Sequence, residues 1–140
     1  MTIKASRYDV WMTVIDDRAG GAADKLEALA KAGADLEAVF ARRTPEQPGQ
    51  GILFATPIEG AKVVRAAQEA GFRKSETIHG IRVEGTDKAG LGGRIARALA
   101  EAGLSCRGLQ ASVIGRNFLS FIALDTAEDA AKAVKVLRKL

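Results

Sequence analysis

The stretch Gly85-Thr-Asp-Lys-Ala-Gly-Leu-Gly-Gly-Arg-Ile-Ala-Arg-Ala-Leu-Ala-Glu-Ala-Gly-Leu-Ser105 has the pattern of a strand end, a glycine-rich turn and a helix that stops at a glycine. A related stretch lies 70 residues earlier, and the two align without a gap. Asp17 then matches Asp87, and Gly33 matches Gly103. Self-similarity at a fixed offset indicates a duplicated structural unit. The sequence therefore predicts two copies of one small module.

The composition is that of a globular protein, with 47% hydrophobic residues among 140 and a net charge of +4. Modules of about 70 residues are marginally stable alone, so the two halves are expected to pack on each other or on a partner chain. There is no signal peptide and no apolar run near the roughly 20 residues that a membrane span needs, so we expect a soluble, cytoplasmic protein that does not contact membranes. The single cysteine and single histidine exclude an internal disulfide and a Cys/His zinc site.

The first half has the pattern of a strand, a helix, two strands and a helix. The first strand is predicted over residues 8–15, and alternation places four of its side chains on one face: Tyr8, Val10, Met12 and Val14. A helix is predicted from about residue 19 to 32, with Gly33 as its left-handed stop. A hairpin over residues 35–55 and a helix over residues 58–70 follow, the latter closed by Gly71.

The second half repeats this order. One nearly continuous strand is predicted between Gly71 and Asp87, passing from one sheet into the next. Asp87 is the predicted N-cap of a helix over residues 89–102. Strands are predicted over residues 104–114, which contain Cys106 as a buried apolar residue, and over residues 118–124. Thr126 is predicted to cap the final helix, residues 127–140.

The chain ends where a closing fourth strand of the second sheet would be expected. Three solutions stay open: a three-stranded sheet, an edge completed by residues 2–6, or an edge completed by a neighbouring chain. The order β-α-β-β-α-β in each copy predicts the α+β class, with two tandem ferredoxin-like units whose antiparallel sheets carry helices on one face. Because this fold hosts many functions, the function has to be inferred from the turn after the first strand.

That turn, Asp87-Lys-Ala-Gly-Leu-Gly92, together with the helix that follows it, resembles the ACT domain family of small regulatory modules. The family commonly has Asp-x-Pro-Gly-x-Leu or a close variant at this turn. Ala89 and Ala19 stand where proline is usual, which leaves the turn more flexible without removing the glycine. The resemblance divides the chain into a first domain, residues 1–78, and a second, residues 79–140. No catalytic domain accompanies them, so the chain resembles a stand-alone tandem ACT protein.

The resemblance implies a small-molecule ligand, in the first instance an amino acid, bound at a junction between domains or between two chains of a homodimer. A metabolic enzyme is the partner that it implies, and no cofactor is expected. The physical chemistry of the turn agrees, because glycine allows close backbone approach and a helix N-terminus attracts a carboxylate. Asp17 or Asp87 could accept the ligand's ammonium group. The predicted ligand-binding residues are Asp87, Lys88, Ala89, Gly90, Leu91, Gly92, Asp17, Arg18, Ala19 and Gly20.

The sequence also bears on three other classes of protein. An RNA-recognition module has the same strand order, but its signature places aromatic residues two apart, whereas Phe118 and Phe121 are three apart and lie on opposite faces. An enzyme is disfavoured because no nucleophile elbow, Walker, metal-ligand or dinucleotide motif occurs. A regulatory subunit or scaffold that acts on a biosynthetic enzyme without binding any ligand stays open, since the sequence does not separate it from an amino-acid sensor.

Overall fold

The structure is a computed structural model that describes residues 3–140. These residues form two compact units: the first unit is residues 9–75, and the second unit combines residues 3–8 with residues 76–140. The first unit contains β2 (Trp11–Asp16), α1 (Gly21–Lys31), β3 (Ala38–Arg43), β4 (Gln50–Thr56), α2 (Ala61–Glu69) and β5 (Arg73–Lys74). The second unit contains β1 (Ile3–Tyr8), β6 (His79–Thr86), α3 (Leu91–Glu101), β7 (Gly108–Ile114), β8 (Asn117–Leu124) and α4 (Ala127–Leu137).

Each unit has a four-stranded antiparallel sheet with the same strand arrangement. The first sheet has the order β3-β4-β2-β5, and the second has the order β1-β6-β8-β7. When each unit is counted from the strand that precedes its first helix, both orders read 4-1-3-2. The protein therefore has the predicted α+β class, with two tandem ferredoxin-like units.

The open edge of the second sheet is closed by the beginning of the chain. β1 pairs antiparallel with β6, from Ile3 opposite Gly85 to Tyr8 opposite Gly80. This is one of the three solutions left open by the sequence, although Thr2 lies outside the described residues. The predicted continuous strand between Gly71 and Asp87 is wrong. Each sheet has its own strand in this stretch, β5 in the first and β6 in the second, with residues 75–78 between them.

Each unit has its own apolar core between its sheet and its two helices. The first core is built around Leu29 and Leu53, and the second around Leu99 and Ile122, all with at most 1% of their surface exposed. Leu29 and Leu99 are 70 residues apart, so the repeat in the sequence is a repeat of core positions. Burial of such apolar side chains drives the helices onto the sheets.

The sequence predicts that Tyr8, Val10, Met12 and Val14 share one face of a single strand, but no single strand runs over residues 8–15. Within β2, Trp11 and Thr13 are buried on the helix side of the sheet, whereas Val14 is half exposed on the other side. The chain instead leaves the second sheet after Tyr8 and enters the first at Trp11, so the alternation does not run through.

Two further details of the second unit differ from the prediction. Cys106 precedes β7 rather than lying within a strand, and it is half-buried beside the core, where desolvation raises the pKa of its thiol. Asp87 is not the cap of α3, because the N-cap is Gly90 and receives no side-chain hydrogen bond. Thr126 does cap α4, accepting from the amide of Asp129 at 3.0 Å.

None of the helices within residues 3–140 combines the length and the apolar character needed to cross a bilayer.

Candidate functional site

The two glycine turns have the same backbone geometry. Gly20 and Gly90 both adopt the left-handed conformation, with φ of 89° and 86°, and each is the N-cap of the helix that follows. Neither helix receives a capping bond at this end from any side chain that the structure describes. A residue with a Cβ atom is strained at such a φ, so glycine is required at these two positions by the backbone itself.

The turn of the second unit is open above its helix. Apart from its chain neighbours and the backbone of its own helix, a Cβ atom built on Gly90, Gly92 or Gly93 would meet no atom of residues 3–140 within 4 Å. The amide of Leu91 bonds to the carbonyl of Lys88, whereas the amides of the next two residues have no main-chain acceptor among residues 3–140. Amides at a helix N-terminus that no side chain caps can donate hydrogen bonds to an anionic group.

The side chains around this second turn divide into exposed and buried ones. Lys88 and Ala89 are exposed, as is Asp87, whose carboxylate makes no hydrogen bond or ion pair within the described residues. The Leu91 side chain is buried in the core with 1% of its surface exposed. Of the predicted site residues, Leu91 therefore presents only its main chain to the turn.

The turn of the first unit is covered by its own ion pairs. Arg18 donates to Asp24 at 2.9 Å and to the carbonyl of Ala19 at 3.1 Å, and its Nε lies 3.7 Å from a carboxylate oxygen of Asp16. Hydrogen bonding to Asp24 raises the pKa of this guanidinium above its usual value. Asp17 accepts from Arg43 at 2.9 Å. The charged groups of this turn therefore largely neutralise one another.

The start of α1 also lies closer to its sheet than the start of α3 does. A Cβ atom on Gly21 would come within 2.2 Å of the main-chain oxygen of Asp16. The equivalent position in the second unit is Leu91, a full core residue. Glycine at position 21 is thus required by the close approach of helix and strand.

An open pocket of about 470 Å³ adjoins the first turn. It lies between the end of β2, one side of α1 and the C-terminal end of α2. Among the predicted site residues only Arg18 lines it, and the others, such as Asp17 and Gly20, do not. Sequence reasoning missed its other charged lining residues, which are Asp16, Asp24, Lys25 and Glu69.

Two other kinds of site, a metal centre and a base-stacking surface, are not found among residues 3–140. No group of three or more Cys, His, Asp or Glu side chains within residues 3–140 could hold a metal ion. Phe118 and Phe121 are 4% and 5% exposed, so neither ring is available for stacking on a base. Tyr8 packs edge-on against Phe121 with ring centroids 5.2 Å apart, which further encloses the Phe121 ring.

Comparison with solved structures finds the same arrangement of elements in several proteins. Protein BT0572 from Bacteroides thetaiotaomicron has a TM-score of 0.77 at 14% identity, over 94% of this chain and 88% of that one. The ligand-free regulatory subunit of aspartate kinase from Thermus thermophilus has a TM-score of 0.67 at 15% identity, over 99% and 96% of the two chains. The corresponding subunit from Thermus flavus has a TM-score of 0.63 at 15% identity, with the same coverage.

No family model matches the sequence, and a search of curated proteins finds no relative. At identities near 15% the structural likeness establishes the fold. The chain therefore has the tandem fold of solved aspartate kinase regulatory subunits, which is the fold that its resemblance to ACT domains implied.

Proposed function

We propose that the protein is a regulatory ligand-binding protein of the ACT type, which binds a small molecule, in the first instance an amino acid, at its glycine turns. The observation that carries the proposal is the duplicated turn itself. Gly20 and Gly90 repeat the same left-handed N-cap, and neither helix uses a side chain to satisfy its first amides. The free amides at the N-termini of both α1 and α3 can therefore donate to a carboxylate.

The second turn is the principal site in this proposal. The space above Gly90, Gly92 and Gly93 is open, and the carboxylate of Asp87 is unpaired among the described residues. A ligand carboxylate can take the free helix amides while its ammonium group pairs with Asp87. The first turn contributes Asp17, Arg18, Ala19 and Gly20, where Arg18 has to leave Asp24 before it can bind a ligand.

Regulation in this proposal depends on assembly as a dimer. β7 is an edge strand of seven residues without charge or proline, and its pairing with β8 is unbroken from Gly108 to Ile114. Three of the large apolar side chains that the described residues expose lie on it, namely Leu109, Val113 and Ile114. Edge strands that lack charges, prolines and bulges are open to pairing with another chain.

The regulated target is proposed to be a metabolic enzyme. The chain carries no catalytic motif, and regulatory subunits of aspartate kinase share its fold. Ligand occupancy can change the affinity for such an enzyme only if the ligand binds two arrangements of the protein unequally. The alternative, a ligand-free scaffold, differs in one observable, which is saturable binding of a free amino acid.

The test is a calorimetric titration of the protein with the twenty amino acids, followed by the Gly92→Val variant. Gly92 lies inside the first turn of α3 at an ordinary helical φ, so valine fits there and covers the free amides. Gly90→Val is a poorer variant because it also strains the backbone at φ 86°. We expect Gly92→Val to weaken binding of the selected amino acid by about tenfold or more.

Ala96→Val is the matched control, since it adds the same side chain at an exposed position of the same helix. It should bind like the wild type. Equal affinity of the wild type, Gly92→Val and Ala96→Val would show that the amino acid does not bind at this turn. The absence of saturable binding by any amino acid would favour the scaffold.

A further inference from the structure

The pocket of the first unit exists because the closing strand of its sheet is short. β5 has two residues and pairs only with Trp11 and Met12 of β2. Beyond Met12 that edge of β2 has no strand partner within residues 3–140, and the end of α2 lies beside it instead. The resulting space of about 470 Å³ is open to solvent.

Lys25, which lines this pocket, stands where the aligned sequence of the second unit has an apolar residue. Its equivalent 70 positions later is Ile95, which is 1% exposed in the second core. The Lys25 ammonium is half-buried and donates to the carbonyl of Ala70, at the end of α2. A Cβ atom on Gly71 would come within 3.3 Å of both this ammonium and the hydroxyl of Thr13. Lys25 is thus a half-buried cation at the position where the second unit has a buried isoleucine.

The charges around the pocket leave one cation and one anion without an ionic partner. Arg18 is engaged by Asp24 and Asp16, whereas Lys25 forms no ion pair within residues 3–140. Glu69 lines the same pocket, is exposed, and is likewise free of ion pairs in the described part of the chain. A small ligand that carries both charges would complement both groups at once.

We propose that this pocket is a second binding site, specific for a small zwitterion such as an α-amino acid, with its carboxylate on Lys25 and its ammonium group directed at Glu69. The pocket is lined by one unit of one chain, so binding requires neither the turn of the second unit nor a dimer. Arg18 stands between this site and the first glycine turn, because it lines the pocket and also covers Gly20. A ligand in the pocket can thus affect the first glycine turn through the Arg18 side chain.

The experiment follows amide chemical shifts of the full-length, isotope-labelled protein during titration with alanine at constant ionic strength. Propionate and ethylamine serve as probes that carry only one of the two charges. We expect alanine, at concentrations up to about 100 mM, to shift amides of residues 14–16, 21–28 and 69–71 with saturation, and each single-charge probe to bind at least about tenfold more weakly.

Lys25→Ile is the decisive variant, because isoleucine already occupies the equivalent position of the second unit. It should weaken alanine binding at these residues by about tenfold or more. Lys31→Ile, an identical change at an exposed position of the same helix, should leave binding unchanged. Glu69→Gln provides a second test at a surface position in case Lys25→Ile alters the fold.

Saturable shifts that survive in Lys25→Ile and Glu69→Gln would overturn the proposal, as would alanine binding no better than propionate or ethylamine. Shifts confined to residues 86–94 would overturn it too, while leaving the proposed function intact. Conversely, shifts confined to the pocket would support this site and count against the second turn.

Discussion

The two units have the same strand order but are closed by different strands. In the second unit β1 supplies six residues and pairs with β6 from Gly80 to Gly85. In the first unit β5 supplies two residues, pairs only with Trp11 and Met12, and leaves a pocket beyond them. The duplicated helices and central strands define the scaffold, while the fourth strand decides whether an edge is sealed or open.

The two units also differ in charge. The second unit has twelve basic and seven acidic residues, which gives a net charge of +5, whereas the first has nine and ten, which gives −1. At the first turn Arg18 is paired with Asp24, but the equivalent of Asp24 is Arg94. Core positions such as Leu29 and Leu99 have kept their character, whereas the start of the first helix and the surface around each turn have diverged. Such divergence is expected when one copy binds a ligand differently from the other.

The largest expected effect comes from removing the strand that seals the second unit. Deletion of residues 1–8 takes Ile3 and Ala5 out of the core and exposes the edge of β6. We expect the second unit to lose more than about 4 kcal/mol of stability, because truncation of one buried isoleucine alone costs about 2–5 kcal/mol. Urea denaturation followed by circular dichroism measures this loss.

The only tryptophan of the chain reports on the first unit separately, since Trp11 is buried in its core. Its fluorescence transition should move little in the deletion variant, so the two probes should cease to coincide. Lys4→Ala, at an exposed position of β1, is the control and should leave both transitions in place. Coincident transitions in the deletion variant would show that the closing strand does not act on one unit alone.

A smaller effect is expected at the outer edges of the two sheets. Ala111 is the middle residue of β7, so antiparallel pairing of two copies about this residue would place Leu109 opposite Val113 of the partner. Ala111→Lys would then place two lysines side by side. We expect the dimer dissociation constant to rise about 100-fold or more, measured by analytical ultracentrifugation.

Ala41→Lys is the matched control, because Ala41 lies 70 residues earlier on the exposed edge strand β3. That strand ends in Arg42 and Arg43, so its edge is already charged. The control variant should dimerise like the wild type. If Ala111→Lys stays dimeric while Ala41→Lys becomes monomeric, the proposed edge is the wrong one of the two.

The smallest effect concerns the ring at the end of β1. Tyr8 lies over Gly80, where a Cβ atom would approach the ring to 2.4 Å, and burial raises the pKa of Tyr8 to about 12. The neutral phenol is favoured in the folded state, so this stabilisation is complete below pH 10 and is lost as the pH rises from 10 to 12. The loss should reach about 2 kcal/mol.

Tyr8 is the only tyrosine, so absorbance at the tyrosinate band reports this pKa directly. Tyr8→Phe keeps the ring and removes the titration, and its stability should therefore fall less than that of the wild type between pH 10 and 12. A tyrosinate transition near pH 10 in the folded protein would contradict the buried position of this ring.

Much of the fold could be predicted because its signals are local. Glycine is the usual residue for a left-handed helix stop, and Gly33, Gly71 and Gly103 have φ of 89°, 96° and 77° after their helices. Thr126 caps α4 as its side-chain chemistry indicates. The repeat also located both uncapped turns, since glycine at positions 20 and 90 is a backbone requirement.

The pocket left only one trace in the sequence. Alignment of the two copies places Lys25 against the core residue Ile95, and a lysine at a core position is a signal that an inspection of the aligned pairs could have found. The acidic lining of the pocket has no such trace. Asp16, Asp24 and Glu69 come from three elements, and only the folded chain brings them to one space.

The duplication, the α+β class, the glycine stops of the first three helices and the positions of the two turns could be predicted, because all of these depend on backbone geometry and on side-chain periods within one element. Which strand seals each sheet is known only from the folded chain. β1 and β6 pair over about 75 residues of chain through main-chain hydrogen bonds, which any residue but proline can make and which therefore leave no pattern to read. The pocket beyond β5 could not be predicted from the sequence for the same reason, because its position depends on where the main-chain pairing of β5 with β2 stops.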